Sequence, residues 1–248
     1  MQRDLDSVRQ LARERSPLGR DETERVIKVR FGRFPQRLAV AQRYWPLVDS
    51  RVLDVGCGYG TCLVHFGAGS VGVDNAVESV EFCRAIGCDA RVADVEDEGW
   101  VTRVSEIGFD FVWVSDVLEH VDAPRVLLRR LEPALAPSGR LLVQASVLPR
   151  NRVARWCLRR IGERPFDAEA HYHQWTVETI GHVLARAGYQ TRRVVVVLPT
   201  KLAAFQAVTP RSTASRVILE ARPDPQLRAQ AERAEMRNRR TERVAGRI

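Results

Sequence analysis

Apolar positions change their period several times along the 248 residues, and those changes divide the chain. Between residues 2 and 16, Leu5, Val8 and Leu11 recur at helical spacing among charged neighbours, predicting a short surface helix that Ser16-Pro-Leu-Gly19 breaks. A second helical pattern covers Pro35–Trp45, with Leu38, Ala41 and Trp45 on one face and Pro46 at its end. From Arg51 onward, short apolar runs alternate with helical stretches. Val52–Val55, Ser70–Val73, Ala90–Ala93, Phe109–Val114 and Leu141–Ala145 read as strands, and helices are predicted at Thr61–Phe66, Val77–Ile86 and Pro124–Leu135. A long connection, 146–174, leads to a helix at Val177–Ala187, with Thr176 as its N-cap and Gly188 closing it. Two more strands follow, the β-branched run Val194–Leu198 and the shorter Arg216–Leu219.

Strands alternating with helices imply an α/β fold: a parallel sheet with helices on both faces, here of seven strands ending in a hairpin-like pair. The predicted organisation is an N-terminal helical segment at 1–47 that serves as a lid or covers an edge, an α/β domain at 48–221, and an Arg-rich tail at 222–248. Within the domain, 146–174 is a substrate-side connection.

Composition narrows the setting. An apolar fraction of 45% suits a globular chain, and no apolar run approaches the roughly 18 residues of a membrane span. The polar start is no signal peptide, so a cytoplasmic location is expected. Five cysteines, odd in number and without C-x-x-C, argue against a disulfide framework or a zinc ribbon. The net charge is +8, and of the 39 basic residues only Lys28 and Lys201 are lysine. Arginine's planar fork suits phosphates and carboxylates, although a GC-rich coding sequence produces the same bias. Half of the excess lies in the tail, where 222–248 carries eight arginines against Asp224, Glu232, Glu235 and Glu242.

The chemistry collects around Arg51-Val-Leu-Asp-Val-Gly-Cys-Gly-Tyr-Gly60. A buried strand runs into three alternating glycines and then a helix. Such a turn lets the backbone approach an anionic or adenosyl ligand while the helix start offers unpaired N–H groups. The spacing is G-x-G-x-G, not the dinucleotide G-x-G-x-x-G. Asp54 is placed to fix the turn and to receive an ammonium group. Polar residues end the successive strands: Asp74, Asp94, then Ser115 and Asp116. Asp74 is placed for the two hydroxyls of a ribose, and Asp94 for an adenine amino group with Val95 beside the ring.

Asp54-Val-Gly-Cys-Gly-Tyr-Gly60, Gly72-Val-Asp74, Val92-Ala-Asp94 and Asp116-Val-Leu-Glu-His-Val121 together resemble successive motifs of the class I S-adenosylmethionine (SAM) methyltransferases. The likeness is strongest to the small-molecule branch that includes quinone-biosynthesis and glycan or polyketide O-methyltransferases, and it covers about residues 48–190. His171-Tyr-His-Gln-Trp-Thr176 and Ala187-Gly-Tyr189 also resemble that family's region after the fifth strand. The resemblance implies a Rossmann-like seven-stranded sheet and SAM as cofactor. It places the methionine end at Asp54, Gly56, Cys57, Gly58 and Gly60, and the ribose at Asp74 and Asn75. It places the adenine edge at Asp94 and Val95, and the methyl donor near Ser115. The implied acceptor is a small molecule or a lipid- or sugar-linked metabolite. Ser115-Asp-Val-Leu118 stands where nucleic-acid amino methyltransferases carry Asn/Asp-Pro-Pro-aromatic, and no Pro-Cys ends the fourth strand, which disfavours base methylation.

Methyl transfer from a sulfonium is an in-line displacement served largely by positioning, and an alcohol or phenol acceptor gains from a histidine base. His120 follows the fourth strand, and His171 and His173 lie in the facing loop. His65 and His182 fall within predicted helices and read as packing or surface residues. No His/Cys/Asp cluster has metal-ligand spacing in the sequence. Pro149–Ile161 predicts a basic amphipathic helix carrying Trp156, suited to an anionic membrane surface or a phosphate-bearing substrate, or else a cap over the pocket with solvated arginines. Two other functions stay open: an RNA-modifying enzyme holding phosphates through its arginines, and a catalytically silent SAM-fold partner protein.

Overall fold

The computed structural model describes residues 4–104, 108–160, 171–198 and 213–245. A seven-stranded sheet in the order β3-β2-β1-β4-β5-β7-β6 carries the fold. Its strands are β1 (Val52–Val55), β2 (Val71–Asp74), β3 (Asp89–Val92), β4 (Phe109–Ser115), β5 (Leu135–Ser146), β6 (Tyr189–Val196) and β7 (Arg216–Pro223). The first five pair in parallel, and β7 lies antiparallel between β5 and β6. Strand order reverses between β1 and β4, so the carboxyl ends of those strands open a crevice where ligands bind in open α/β sheets.

Alternate residues of the central strands point to opposite faces and build two cores. Leu53, Val55, Val112, Val114 and Val143 pack under Trp100 of α5 (Trp100–Val104), Leu127 and Leu128 of α6 (Pro124–Arg130), and Ile180 and Leu184 of α8 (Val177–Arg186). Val52, Phe111, Trp113 and Leu142 pack on the other face, against Leu38 and Ala41 of α3 (Gln36–Ala41) and Val80 and Cys83 of α4 (Val77–Ala85). Beyond α4, a third layer joins Val8 and Ala12 of α1 (Leu5–Arg15) and Val26 and Ile27 of α2 (Arg20–Arg30) to Phe31, Phe82 and Ile86.

Several elements differ from the reading of the sequence. Two helices have no counterpart in it, because α2 carries only two apolar core residues among charges and α5 is a single turn and a half. Thr61–Phe66 forms only a 3₁₀ turn at Leu63–His65. The helix expected to reach Leu135 stops at Arg130, and Pro133 sits in the 3₁₀ turn Glu132–Ala134 that follows. The run Pro35–Trp45 is helical only over α3, although Trp45 is buried as its pattern implies. β5 and β7 extend well past their apolar runs, and β6 starts earlier, at Tyr189.

Helix ends follow local chemistry. Thr176 and Thr179 form a reciprocal capping box at the start of α8, and Gly188 follows its end at φ +94°. The charged C-terminal stretch becomes α9 (Pro225–Ala245), whose first turn donates to the Asp224 carboxylate from Gln226 and Leu227. α9 runs beside α8 and is ion-paired to the α6 region, Arg228 to Glu132 at 2.8 Å and Glu235 to Arg129 at 2.6 Å, with Arg125 also on Glu235. The predicted basic helix forms as α7 (Arg152–Arg160), with Val153 and Trp156 exposed and the Arg160 guanidinium 4.9 Å from the Trp156 ring. Its predicted end at Ile161 lies outside the described residues. No helix among the described residues is long and apolar enough to cross a membrane.

Glu220 ties the late strands to the early chain. Its side chain is 7% exposed and faces Arg140 at 3.4 Å, Arg222 at 3.8 Å and Arg193 at 3.9 Å, while the Trp45 indole N–H donates to it at 3.1 Å. Breaking a buried pair is costly, but these arginines reach water, so the loss should sit at the low end of that range. Glu220→Ala is expected to lower unfolding free energy by about 3 kcal/mol in urea melts, and Glu220→Gln by less, since it keeps the indole's acceptor. An alanine variant within experimental error of the parent would show that the cluster contributes nothing net.

Candidate functional site

The glycine turn after β1 is fastened to β2 by its backbone. Gly56 and Cys57 N–H both donate to the Val73 carbonyl, at 2.8 and 3.0 Å, and Gly58 N–H donates to Asp74 Oδ2 at 2.8 Å. Asp74 Oδ1 accepts from Ala76 N–H at 2.9 Å, so this carboxylate shapes both the turn and the start of α4. Gly56 sits at φ +70°, and a Cβ there would lie 2.4 Å from Val117 Cγ2. Gly58, at φ +50°, has open space where a Cβ would be, leaving its backbone approachable.

A cavity of about 450 Å³ opens beside this turn at the switch point. Gly56, Asp74, Asn75, Asp94, Val95 and His120 line it, as do Asp116, Asp122 and Tyr172. Trp100 Nε1–H donates to the Val95 carbonyl at 3.0 Å, holding the segment after β3 in place, and Asp94 Oδ1 accepts from Glu96 N–H.

Other residues expected at the cofactor lie behind this wall. The Cys57 side chain packs in the core against Gly72, and its hydrogen bond with Cys83 and its burial push the thiol well above the usual range. Gly60 faces α4, where a Cβ would come within 2.9 Å of Cys83 Sγ. Ser115 is buried and donates to Gln144 Oε1 at 2.5 Å. Gly58 contributes backbone alone. Asp54 is 3% exposed, and its Oδ2 has no hydrogen-bond partner. Burial raises the Asp54 carboxyl to about 7, against the opposing pull of Arg37 and with a smaller push from Asp74.

Sequence reasoning missed the chain of contacts that closes the far side. Asp116 is the one described non-glycine residue with positive φ, at 53°. Its N–H donates to the Gln144 carbonyl at 3.0 Å, its Oδ1 accepts from Gln144 Nε2 at 2.9 Å, and its Oδ2 meets Arg37 Nη1 at 3.3 Å. Arg37 Nε points to Cys62 Sγ at 3.4 Å. Asp116 also lines a second cavity of about 550 Å³, bordered by α2, α3, Gln144 and the start of β7. No spacing links positions 37, 116 and 144, so nothing in the sequence marked them as a set.

The histidines separate clearly. His120 and His171 are in edge-to-face contact, ring centroids 4.9 Å apart. Neighbouring Glu119 is 1% exposed with Oε2 unpartnered, and burial raises its carboxyl to about 7. Glu119, His120 and His171 each offer a ligand atom, all within 4.8 Å of one another, so three side chains that could hold a metal ion converge despite having no metal-ligand spacing in the sequence. The fold assembles them because Tyr172 and His173 N–H donate to the Glu119 carbonyl, bringing the distant loop back over β4. His173 Nε2 bonds the Val121 carbonyl at 2.9 Å, a scaffolding contact. His65 is buried with neither ring nitrogen partnered, and burial lowers it to about 4, so it packs as a neutral ring. His182 is exposed on α8.

The two raised carboxyls make stability depend on pH. Folded Asp54 and Glu119 keep protons that the unfolded chain releases, so each lowers stability as pH rises from the ordinary carboxylate range to about 7, with no further loss above it. Asp54→Asn should therefore gain on the parent between pH 4 and 7, by on the order of 4 kcal/mol, and hold that gain at higher pH. Urea melts showing a pH-independent difference would mean that Asp54 ionises normally in the fold.

Comparison with known proteins agrees with this geometry. A family model described as a methyltransferase domain matches residues 10–194. A ubiquinone biosynthesis O-methyltransferase of Xanthomonas euvesicatoria pv. vesicatoria is 33% identical over 118 residues, 44% of this chain and 48% of that protein, so the chain spans about half the length of such relatives. The crystal structure of an S-adenosylmethionine-dependent methyltransferase from Mesorhizobium loti superposes with a TM-score of 0.54 at 19% identity, covering 75% of this chain and 96% of that one. An O-methyltransferase from neocarzinostatin biosynthesis, in complex with S-adenosyl-L-homocysteine and 1,4-dihydroxy-2-naphthoic acid, superposes at 0.52 with 16% identity, over 82% and 56%.

Proposed function

The chain belongs to the class I SAM-dependent methyltransferase family, and from that premise we propose that it transfers the methyl group of SAM to an oxygen of a small-molecule acceptor. The carrying observation is the pair of cavities that share Asp116, one against the glycine turn and one against α2 and α3. The first fits the cofactor. It combines the Gly56 backbone and carboxylates at Asp74 and Asp94 in its lining with a buried unpartnered oxygen on Asp54 behind the turn. Its volume falls within the roughly 300–1,000 Å³ of small-ligand sites. When bound, SAM supplies an electrophilic methyl group on a sulfonium. Asp74 and Asn75 would hold the ribose, Asp94 and Val95 the adenine, and Asp54 the ammonium.

The chain's own part in the reaction is to place the acceptor oxygen and take its proton. His120 lines the cofactor cavity and is backed by the His171 ring, which fixes its plane, so His120 is the base in this reading and His171 its support. The buried carboxyl of Glu119 beside them favours the charged imidazolium once it is itself ionised. O-methylation is the chemistry named for the ubiquinone-biosynthesis relatives, which supports oxygen as the acceptor atom.

S-Adenosylhomocysteine should bind the full chain in a calorimetric titration, and Asp74→Ala should weaken that binding by roughly 1.5–3 kcal/mol. Because Asp54 must ionise to receive an ammonium, affinity should fall as pH drops below about 7, and Asp54→Asn should abolish that dependence. A chain that binds NADH but neither SAM nor its product would overturn the assignment. For catalysis, His120→Ala should lower turnover by roughly 10²–10⁴-fold while leaving S-adenosylhomocysteine affinity nearly unchanged. Full turnover in that variant would return His120 to a packing role.

A further inference from the structure

The second cavity has a composition unlike the first. Arg30, Arg33, Arg37 and Arg216 border it, against a single carboxylate, Asp116. That carboxylate already faces Arg37 at 3.3 Å and accepts from Gln144. Three arginines of the first two helices are paired with carboxylates, Arg9 with Asp6, Arg13 with Glu24 and Arg25 with Glu22, whereas Arg15 and Arg20 form no ion pair among the described residues. Among the described residues, Arg30 and Arg33 form no ion pair, and both lie on this cavity's wall. Apolar lining comes from Phe34, Pro35 and Val197.

Uncompensated arginines at the mouth of a concave site raise the local concentration of anions, and their forked donors match carboxylate and phosphate oxygens two at a time. Arg37 is only part-exposed and is held between Asp116 and Cys62, so one fork is fixed before any ligand arrives. We propose that the methyl acceptor is an amphipathic small molecule carrying a carboxylate or phosphate, its anionic end held by Arg33 and Arg30 and its apolar body against Phe34, Pro35 and Val197. Asp116, shared by both cavities, then stands between the anion site and the methyl donor, where it favours a neutral hydroxyl and repels a second anion. This inference rests on the methyl-transfer reading of the site.

The test uses the full chain saturated with S-adenosylhomocysteine, whose binding is measured first. Failure at that step sinks the methyl-transfer reading itself. The probes are 4-hydroxybenzoate, 4-hydroxyphenyl phosphate and the uncharged methyl ester of the first, titrated at low and high salt. At least one anion should bind at millimolar concentration or below, about 10-fold tighter than the ester, and weaken as salt rises. The tighter of the two anions distinguishes carboxylate from phosphate. Arg30→Gln/Arg33→Gln should remove about 10-fold of that affinity and leave S-adenosylhomocysteine binding intact. Equal binding of acid and ester, no anion binding at millimolar concentration, or an unchanged double variant would each overturn the proposal. So would arginine-dependent binding of single-stranded RNA without affinity for either small anion.

Discussion

The contact on which the site depends is the grip of Gln144 on Asp116. Gln144 is 1% exposed, and its Oε1 accepts from Ser115 while its Nε2 donates to Asp116. A buried amide with both ends satisfied has one orientation available, and a wrong one would strand polar groups away from water. The same pair of strands adds a backbone bond from Asp116 N–H to the Gln144 carbonyl. Those bonds hold Asp116 in a left-handed conformation that costs on the order of 1 kcal/mol or more when unsupported. The turn they enforce sends the carboxylate between the two cavities, where it meets an arginine from the N-terminal helices. β4, β5 and α3 are thereby fixed relative to one another at the point where two ligands would meet.

Charge is distributed unequally across that divide. The cavity against the glycine turn is lined by Asp74, Asp94, Glu96 and Asp122, while the buried carboxyls of Asp54 and Glu119, outside its lining, stay largely protonated up to about pH 7. The other side collects arginines. A cation would be favoured on the first side of Asp116 and an anion on the second.

Much of this is readable from the residues, for specific reasons. Parallel strands buried on both faces leave near-continuous apolar runs, which locate β1, β2 and β4 almost to the residue. The alternating glycines mark the turn because φ values of 50–78° are poorly tolerated by other residues. β6 is legible only at its apolar end. As an edge strand it exposes Arg192 and Arg193, which resemble loop residues and also discourage pairing with other chains. Arg37, Gln144 and the meeting of Glu119 with His171 depend on contacts between segments far apart in the chain, and no local period encodes those. Cys57 and Ser115 show the opposite limit, since a motif position says that a residue is near the ligand but not which way its side chain turns.

The position of β7 carries a consequence for how the molecule comes into being. Because it is inserted between β5 and β6, the far edge of β5 has no partner until the chain has been made through Pro223. At ribosomal rates of roughly 5–20 residues per second, that interval after Ser146 is about 4–15 s. During it, Arg140 and Trp45 also lack Glu220, which arrives only with the late strand. The nascent parallel half therefore presents an open hydrogen-bonding ladder to its surroundings, and the moment of greatest exposure to misassembly falls just before the last strand slots in.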